Sequence, residues 1–375
     1  MSELQDIFRE YGAEYRRRNK VSLPALKVMS AIENCRTGKL GAHAEVCEDC
    51  GNVQVSYNSC RNRHCPKCQS LPRERWVQAR TDDLLDIPYF HAVFTIPAAL
   101  RPVVFQNQRA LYSLLFRCAS ETILELAADE KYLHAKTGLT AILHTWGQNL
   151  TFHPHIHCII PGGGLDDLGK WRASGKKFFL PVRVMSKLFR GKFLAHIQTM
   201  KLEFHGTQKH LENPAGFQRL LQSCYKQNWV VYCKPPFGSA ARVVQYLGRY
   251  THRVAISNHR ILSVQNGLVT FRYKDYKDAQ KHKTMTLTAN EFIRRFLLHV
   301  LPHRFTKIRH YGILASRGKK LRLRLCKQFT GTRIRLRPKL STAELILQTT
   351  GLDITCCAVC GSKNLRPVAF PMNTS

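Results

Sequence analysis

Three histidines within five residues mark the stretch Thr151 to Gly164, TFHPHIHCIIPGGG, as a place built for chemistry. On a β-strand, alternate side chains share a face. His153, His155 and His157 then line one side, and Phe152, Ile156, Cys158 and Ile160 line the other. Neutral imidazole nitrogen is the commonest metal ligand, and a row of imidazoles backed by an apolar face suits a divalent-metal site on a sheet. Pro154 cannot donate to a ladder, so the strand is expected to begin at or just after it. Gly162 to Gly164 allow backbone to approach a bulky or charged ligand. The plain alternative is a His-rich core strand without metal.

A second candidate lies in PPFGSAARVVQYLGRYTHRVAISNHRI. Pro235, Pro236 and Gly238 break the chain, Ser239 can cap, and a helix is expected from about Ala240. Tyr246 and Tyr250 stand one turn apart on one helix face. Arg242, Arg249, His252 and Arg253 surround them, and guanidinium groups hold phosphate and favour a phenolate. The alternative is a pair of amphipathic packing tyrosines.

The third candidate is made of cysteine. Cys47-x2-Cys50 is followed by Cys65-x2-Cys68, the pattern of a four-thiolate zinc site. Gly51 can supply the turn after the first knuckle. Cys35, His43, Cys60 and His64 remain as four more N/S ligands for a second zinc; otherwise Cys35 and Cys60 are small buried hydrophobes. Arg61, Asn62, Arg63, His64 and Lys67 crowd the second knuckle, which suits a zinc module facing phosphate. In the tail, Cys356, Cys357 and Cys360 form one knuckle with no visible second, with Cys326 or another chain as candidate partners.

The elements that must position these residues follow from composition and period. The 375 residues, 44% hydrophobic, are enough for two or three domains and exclude general disorder. Lys and Arg number 58 against 25 Asp and Glu, a net charge of +33, which points to a polyanionic partner, nucleic acid first. No apolar run approaches the ~18 residues of a membrane span. The charged N-terminus lacks an apolar signal core, so a cytosolic protein is expected. In that reducing compartment, fourteen cysteines argue for metal over disulfides.

Residues 1 to 34 carry helical periodicity, with Ser22 as a cap before Leu23 to Ile32. Pro72 to Leu85 reads as a helical connector. His91 to Ile96 reads as a strand and a candidate neighbour of the His strand, and Phe105 to Ala128 as a helix. Leu139 to His144 begins another apolar run. In the TWGQNL that follows, Trp146, Gln148 and Asn149 either contact bases or form a packed corner. Leu180 to Arg183 and Val230 to Cys233 look extended, and Val184 to Leu202 looks helical. Ile261 to Tyr273 is a hairpin turning at Asn266-Gly267, which suggests that the tyrosine helix packs on a largely antiparallel sheet. The Lys- and Arg-rich stretch LPHRFTKIRHYGILASRGKKLRLRLCK, with interleaved aromatics and including Arg309, has the composition of a nucleic-acid channel.

A divalent metal on histidines, with tyrosines among arginines, suggests one chemistry. The metal polarises a scissile phosphate and a tyrosine oxygen attacks phosphorus, leaving a 5′-phosphotyrosine and a free 3′-hydroxyl. No GxxxxGK[ST] loop is present, in keeping with chemistry that needs no ATP.

The stretches CRTGKLGAHAEVCEDCG…YNSCRNRHCPKCQ, HAVFTIPAALR, HTWGQNLTFHPHIHCIIPGGGL, YLGRYTHRVAISNHRI and FTKIRHYGILA resemble the rolling-circle insertion-sequence transposases, HUH enzymes with two tyrosines and an N-terminal zinc-binding domain. The resemblance runs from about Cys35 to Ala315. It implies that His155-Ile156-His157 is the HUH metal motif and that Tyr246 and Tyr250 are nucleophiles. The third ligand of the catalytic metal is not fixed by spacing; His153 and Gln245 are the candidates. It also implies an α+β fold: a helical and zinc-binding module over 1–86, an HUH domain of antiparallel sheet with packed helices over 87–316, and a basic C-terminal region with a Cys knuckle over 317–375. The implied cofactors are structural Zn²⁺ and catalytic Mg²⁺ or Mn²⁺. The implied partner is single-stranded or hairpin DNA at element ends, with Arg61, Arg63, Arg249, Arg253 and Arg309 as candidate contacts. A plasmid replication initiator or relaxase would share the chemistry, and a zinc-bearing DNA-binding protein without catalysis is the third reading.

Overall fold

The computed structural model describes residues 2–175, 179–234, 243, 246, 248, 251–275, 278–333 and 340–369. The histidine strand lies at the centre of a five-stranded sheet. Its members are β3 (Tyr89–Thr95), β4 (Gly138–Trp146), β5 (Phe152–Pro161), β8 (Val231–Lys234) and β12 (Ile308–Gly312). The order is β12-β4-β5-β3-β8, with every neighbouring pair antiparallel. β3 is therefore a neighbour of the His strand, as its composition suggested.

Period-two alternation divides this sheet into two faces. Phe90, Ala92 and Phe94 of β3, Ala141 and Leu143 of β4, and Ile156, Cys158 and Ile160 of β5 enter the main core. They pack against α4 (Arg101–Gln106), α5 (Gln108–Ala128) and α6 (Val182–Ile197). Phe94 meets Phe189 edge-on at 5.0 Å, and Phe189 meets Trp229 at 5.3 Å. Each such side chain, once buried, contributes roughly 1.5–3 kcal/mol, so this face is anchored and the histidine face is left for function. Leu180 to Arg183 is not a strand: Pro181 sits at the cap of α6, which starts at Val182.

The Asn266-Gly267 hairpin forms as expected, with φ of 51° and 74° at the turn. It belongs, however, to a separate sheet of β9 (Ile261–Gln265), β10 (Leu268–Asp275) and β11 (Lys281–Thr288). The apolar side of that sheet is taken up by other helices. Ile261, Val269 and Phe271 pack with Leu4, Ile7 and Phe8 of α1 (Leu4–Arg18), Val28 and Met29 of α2 (Leu23–Glu33), and Phe292 and Phe296 of α8 (Ala289–Leu297).

The C-terminal region is not a separate unit. α9 (Lys319–Thr330) buries Leu323 and Cys326 against Leu85 and Ile313. α10 (Thr342–Thr350) contacts α3 (Ser70–Thr81), the predicted connector helix. β13 (Leu365–Val368) returns to the N-terminal module as the third strand beside β1 (Ala42–Cys47) and β2 (Val53–Tyr57), in the order β13-β1-β2. Residues beyond 317 thus contact both the N-terminal module and the rest of the chain. Among the described residues no helix is long and apolar enough to cross a membrane.

Candidate active site

The site is built on the β4–β5 hairpin. Its turn is closed by Gly147 N donating to Thr151 O at 2.9 Å, and Asn149 Oδ1 accepts from Thr151 Oγ1 at 2.8 Å. Trp146 pairs with Phe152, and His144 pairs with His155, so the register shifts between them. Pro154 falls in this bulge, where no ladder donor is needed. That is why the strand starts at Phe152, before the proline.

Beyond the bulge the register is regular, and directly opposed residues share a face. His155 stands opposite His144, and His157 opposite Ile142. One ring nitrogen from each of His144, His155 and His157 comes within 4.8 Å of the other two. The third imidazole is therefore His144. His153, the expected candidate, lies in the bulge itself beside Pro154; its ring is 5.1 Å from that of His155, but it does not join the triplet. Gln245, the other candidate, lies outside the described residues.

Hydrogen bonds aim these rings. His155 Nδ1 donates to His153 O at 2.6 Å, which leaves its Nε2 lone pair facing His157 Nε2 at 3.0 Å. Trp146 stacks on His144 with centroids 4.8 Å apart. Burial pushes His155 down to about 4, with the Arg253 and Arg101 charges adding to the effect. Burial holds His157 well below the ordinary histidine value. Both are therefore neutral at physiological pH and able to ligate. Two ligands at right angles, each ~2.1 Å from an octahedral ion, lie about 3.0 Å apart, so the His155–His157 spacing fits a divalent cation.

His91, whose sequence context marks only a strand, is a member of this site. Its Nε2 lies 2.9 Å from His157 Nδ1, and its Nδ1 lies 3.0 Å from the Tyr246 phenol oxygen. Burial pushes His91 down to about 3. Tyr246 packs with Tyr89, Ile142, Ile159 and Val243 over the histidine face of the sheet. Val243, Tyr246, Gly248 and Thr251 are helical. A Cβ on Gly248 would meet Val77 Cγ2 of α3 at 2.6 Å, so the glycine permits this close seat. Tyr250 and Arg249 lie outside the described residues.

The cysteines form two groups, and the expected Cys47, Cys50, Cys65, Cys68 set is not one of them. Cys65 and Cys68 gather with Cys35 and Cys60, while Cys47 and Cys50 gather with Cys357 and Cys360. The first group has Cys35–Cys68, Cys60–Cys68 and Cys65–Cys35 Sγ distances of 3.5, 3.6 and 3.7 Å. Neither His43 nor His64 joins a group. His43 is exposed on β1, and His64 Nε2 faces the Leu301 N–H. Cys326 is buried in the α9 cluster.

The arginines differ among themselves. Arg253 lies close enough to His155 to influence its charge, and Arg61 is exposed beside Cys60. Arg63 donates to Phe305 O. Arg309 is spent internally: its guanidinium covers the Phe116 ring at 4.4 Å and donates to Ser113 Oγ at 3.2 Å. Trp146, Gln148 and Asn149 lie half-exposed in the β4–β5 turn, where Trp146 stacks on His144, Asn149 accepts from Thr151 and Arg260 donates to Gln148 O.

Comparison with known proteins places this arrangement. Residues 138–321 match a family profile described as "Putative transposase", and residues 7–96 match one described as "Transposase zinc-binding domain". The chain is 48% identical over 335 residues to "Putative transposase y4qJ" of Sinorhizobium fredii, covering 88% of this chain and 84% of that protein. It is 30% identical over 348 residues to the "Transposase for insertion sequence element IS801" of Pseudomonas savastanoi pv. phaseolicola, covering 90% and 82%. A solved structure of TrwC complexed with a 27-mer DNA is similar over 65% of this chain and 75% of that chain, with 9% identity and a TM-score of 0.23, a likeness too slight to bear on function. A DNA-acting transposase module thus follows a zinc-binding domain in one chain, and the protein belongs to the two-tyrosine, rolling-circle HUH insertion-sequence transposases with an N-terminal zinc-binding domain.

Proposed function

We propose that this transposase nicks and rejoins single-stranded or hairpin DNA at the ends of its element through 5′-phosphotyrosine intermediates. The observation that carries the reading is the line of contacts from the Tyr246 phenol through His91 to His157 and the histidine triplet. His144, His155 and His157 would hold Mg²⁺ or Mn²⁺, which supplies Lewis-acid polarisation of the scissile phosphate.

The protein's own groups do the rest. Tyr246 Oη forms a bond to phosphorus and the P–O3′ bond breaks. The phenol gives its proton to water and the departing 3′-oxygen takes one from water, so atoms and charge balance. With His157 Nε2 kept for metal, its Nδ1–H donates to His91 Nε2, and the Tyr246 phenol oxygen rests against the His91 ring, 3.0 Å from Nδ1 and 3.3 Å from Nε2. His91 is thus a positioning residue that orients Tyr246. Arg253 adds positive charge beside the histidines, where a phosphate would sit. Tyr250, four residues further along the sequence, would hold or attack a second strand. The Cys35, Cys60, Cys65 and Cys68 thiolates would hold zinc in the N-terminal domain.

The test uses labelled single-stranded oligonucleotides from both element ends with Mg²⁺ or Mn²⁺. A covalent protein–DNA adduct on a denaturing gel is expected, dependent on metal and lost or sharply reduced in Tyr246→Phe. An adduct that forms equally well in Tyr246→Phe and Tyr250→Phe would overturn the reading.

A further inference from the structure

We infer that Cys47, Cys50, Cys357 and Cys360 form a second four-thiolate zinc site that clasps the end of the chain to its N-terminal module. Cys357 and Cys360 lie outside both matched regions, 7–96 and 138–321. The site is distinct from the Cys35, Cys60, Cys65 and Cys68 group, and the inference does not depend on the nicking chemistry.

The first argument is distance. Four thiolates ~2.3 Å from a tetrahedral zinc lie about 3.8 Å from one another. Here Cys47 Sγ is 3.5 Å from Cys360 Sγ, Cys50 Sγ is 3.6 Å from Cys357 Sγ, and all four sulfurs fall within 4.8 Å. None of the four is bridged as a disulfide.

The second argument is that the two halves are built alike. Cys47-Glu-Asp-Cys50-Gly51 and Cys357-Ala-Val-Cys360-Gly361 share one pattern. In each the glycine is left-handed, with φ of 70° at Gly51 and 75° at Gly361. In each the glycine N–H donates to the first cysteine's carbonyl, at 2.8 Å for Gly51 to Cys47 and 2.9 Å for Gly361 to Cys357. In each the first cysteine's N–H donates to the carbonyl five residues on, Cys47 to Asn52 at 2.9 Å and Cys357 to Ser362 at 2.7 Å. Two knuckles of the same geometry facing each other are the two halves of one metal site.

The third argument is that the surroundings hold the halves together. β1 and β13 pair antiparallel from Ala44↔Val368 to Cys47↔Leu365. Asp49 accepts from Ser362 Oγ at 2.5 Å and from Asn364 Nδ2 at 3.1 Å, and Arg366 pairs with Glu48 at 2.9 Å. These contacts are exposed and each is worth little alone. A metal bound by four thiolates supplies the closure that a four-residue strand pair lacks.

Zinc counting tests this on the full-length protein by native mass spectrometry. Two zinc ions per chain are expected in the wild type and one in Cys357→Ser/Cys360→Ser. One zinc in the wild type, or two in the double variant, would overturn the proposal. A second measurement does not depend on that variant folding. With a specific protease site inserted after Arg333, the cut, zinc-loaded wild type should keep its C-terminal fragment through gel filtration and release it once a chelator strips the metal. A fragment that leaves while zinc is bound, or stays after zinc is gone, would equally sink the clasp.

Discussion

The active site turns on which imidazole completes the triplet and what His91 does. Three substitutions separate these roles. His144→Ala should abolish metal-dependent adduct formation and weaken Mn²⁺ binding, because it removes a member of the triplet. His153→Ala should retain Mn²⁺ binding, since its ring stands apart from the group. His91→Ala should slow adduct formation by about 10–100-fold, the usual cost of losing a group that orients a metal ligand, and the defect should persist at saturating Mn²⁺. Calorimetric Mn²⁺ titration beside the gel assay checks all three. Equal losses in the His144 and His153 variants would show the triplet to be wrongly drawn. His155, His157 and Tyr246 were legible in the sequence because their spacing is local and period fixes their faces. His144 was not, because it reaches the site through cross-strand register, and that register passes a bulge whose position depends on how Pro154 is accommodated. An apolar run ending in one histidine, a short turn before the His strand, was the available signal.

At the scale of elements, glycines report how tightly the central sheet is joined. Gly312 of β12 has a φ of 59°, and a Cβ there would lie 2.0 Å from Thr137 O and 3.0 Å from Gly138 Cα, both backbone. Gly267 has a similar φ of 74° but open space around it. Gly267→Ala should cost about 1 kcal/mol in urea unfolding, the strain of a left-handed alanine alone. Gly312→Ala should cost about 2–5 kcal/mol, because backbone must also move. Equal costs would mean that β12 is not locked to β4 as described. Most elements here were readable, including α1, α2, β3, α5, β5 and the β9–β10 hairpin, because each carries its own period and punctuation. Their assignment to sheets was not. The hairpin's strands look like those of the central sheet, and only the partners that cover Val269 and Phe271 decide where they go.

At the scale of the whole molecule, the net charge of +33 was legible at once, and the chain's closure on itself was not. Adjacent knuckles suggest local pairing, whereas the fold joins Cys50 to a cysteine 307 residues away. The charge makes a quantitative expectation. For single strands, affinity falls with salt at a log–log slope of about −0.7 per phosphate contacted, so six contacts would cost roughly 300-fold between 50 and 200 mM salt. Fluorescence anisotropy with a single-stranded element end should show such a steep decline, and salt-independent binding would contradict a phosphate-tracking surface. The β1–β13 pairing also sets a clock. Chains are synthesised at about 5–20 residues per second, so Cys47 and Cys50 wait roughly 15–60 s on the ribosome before Cys357 and Cys360 are made. A message cut short before the Cys357 codon would yield a protein with its histidines and Tyr246 in place but two thiols left open, and a cell's quality control would have that exposed pair to recognise.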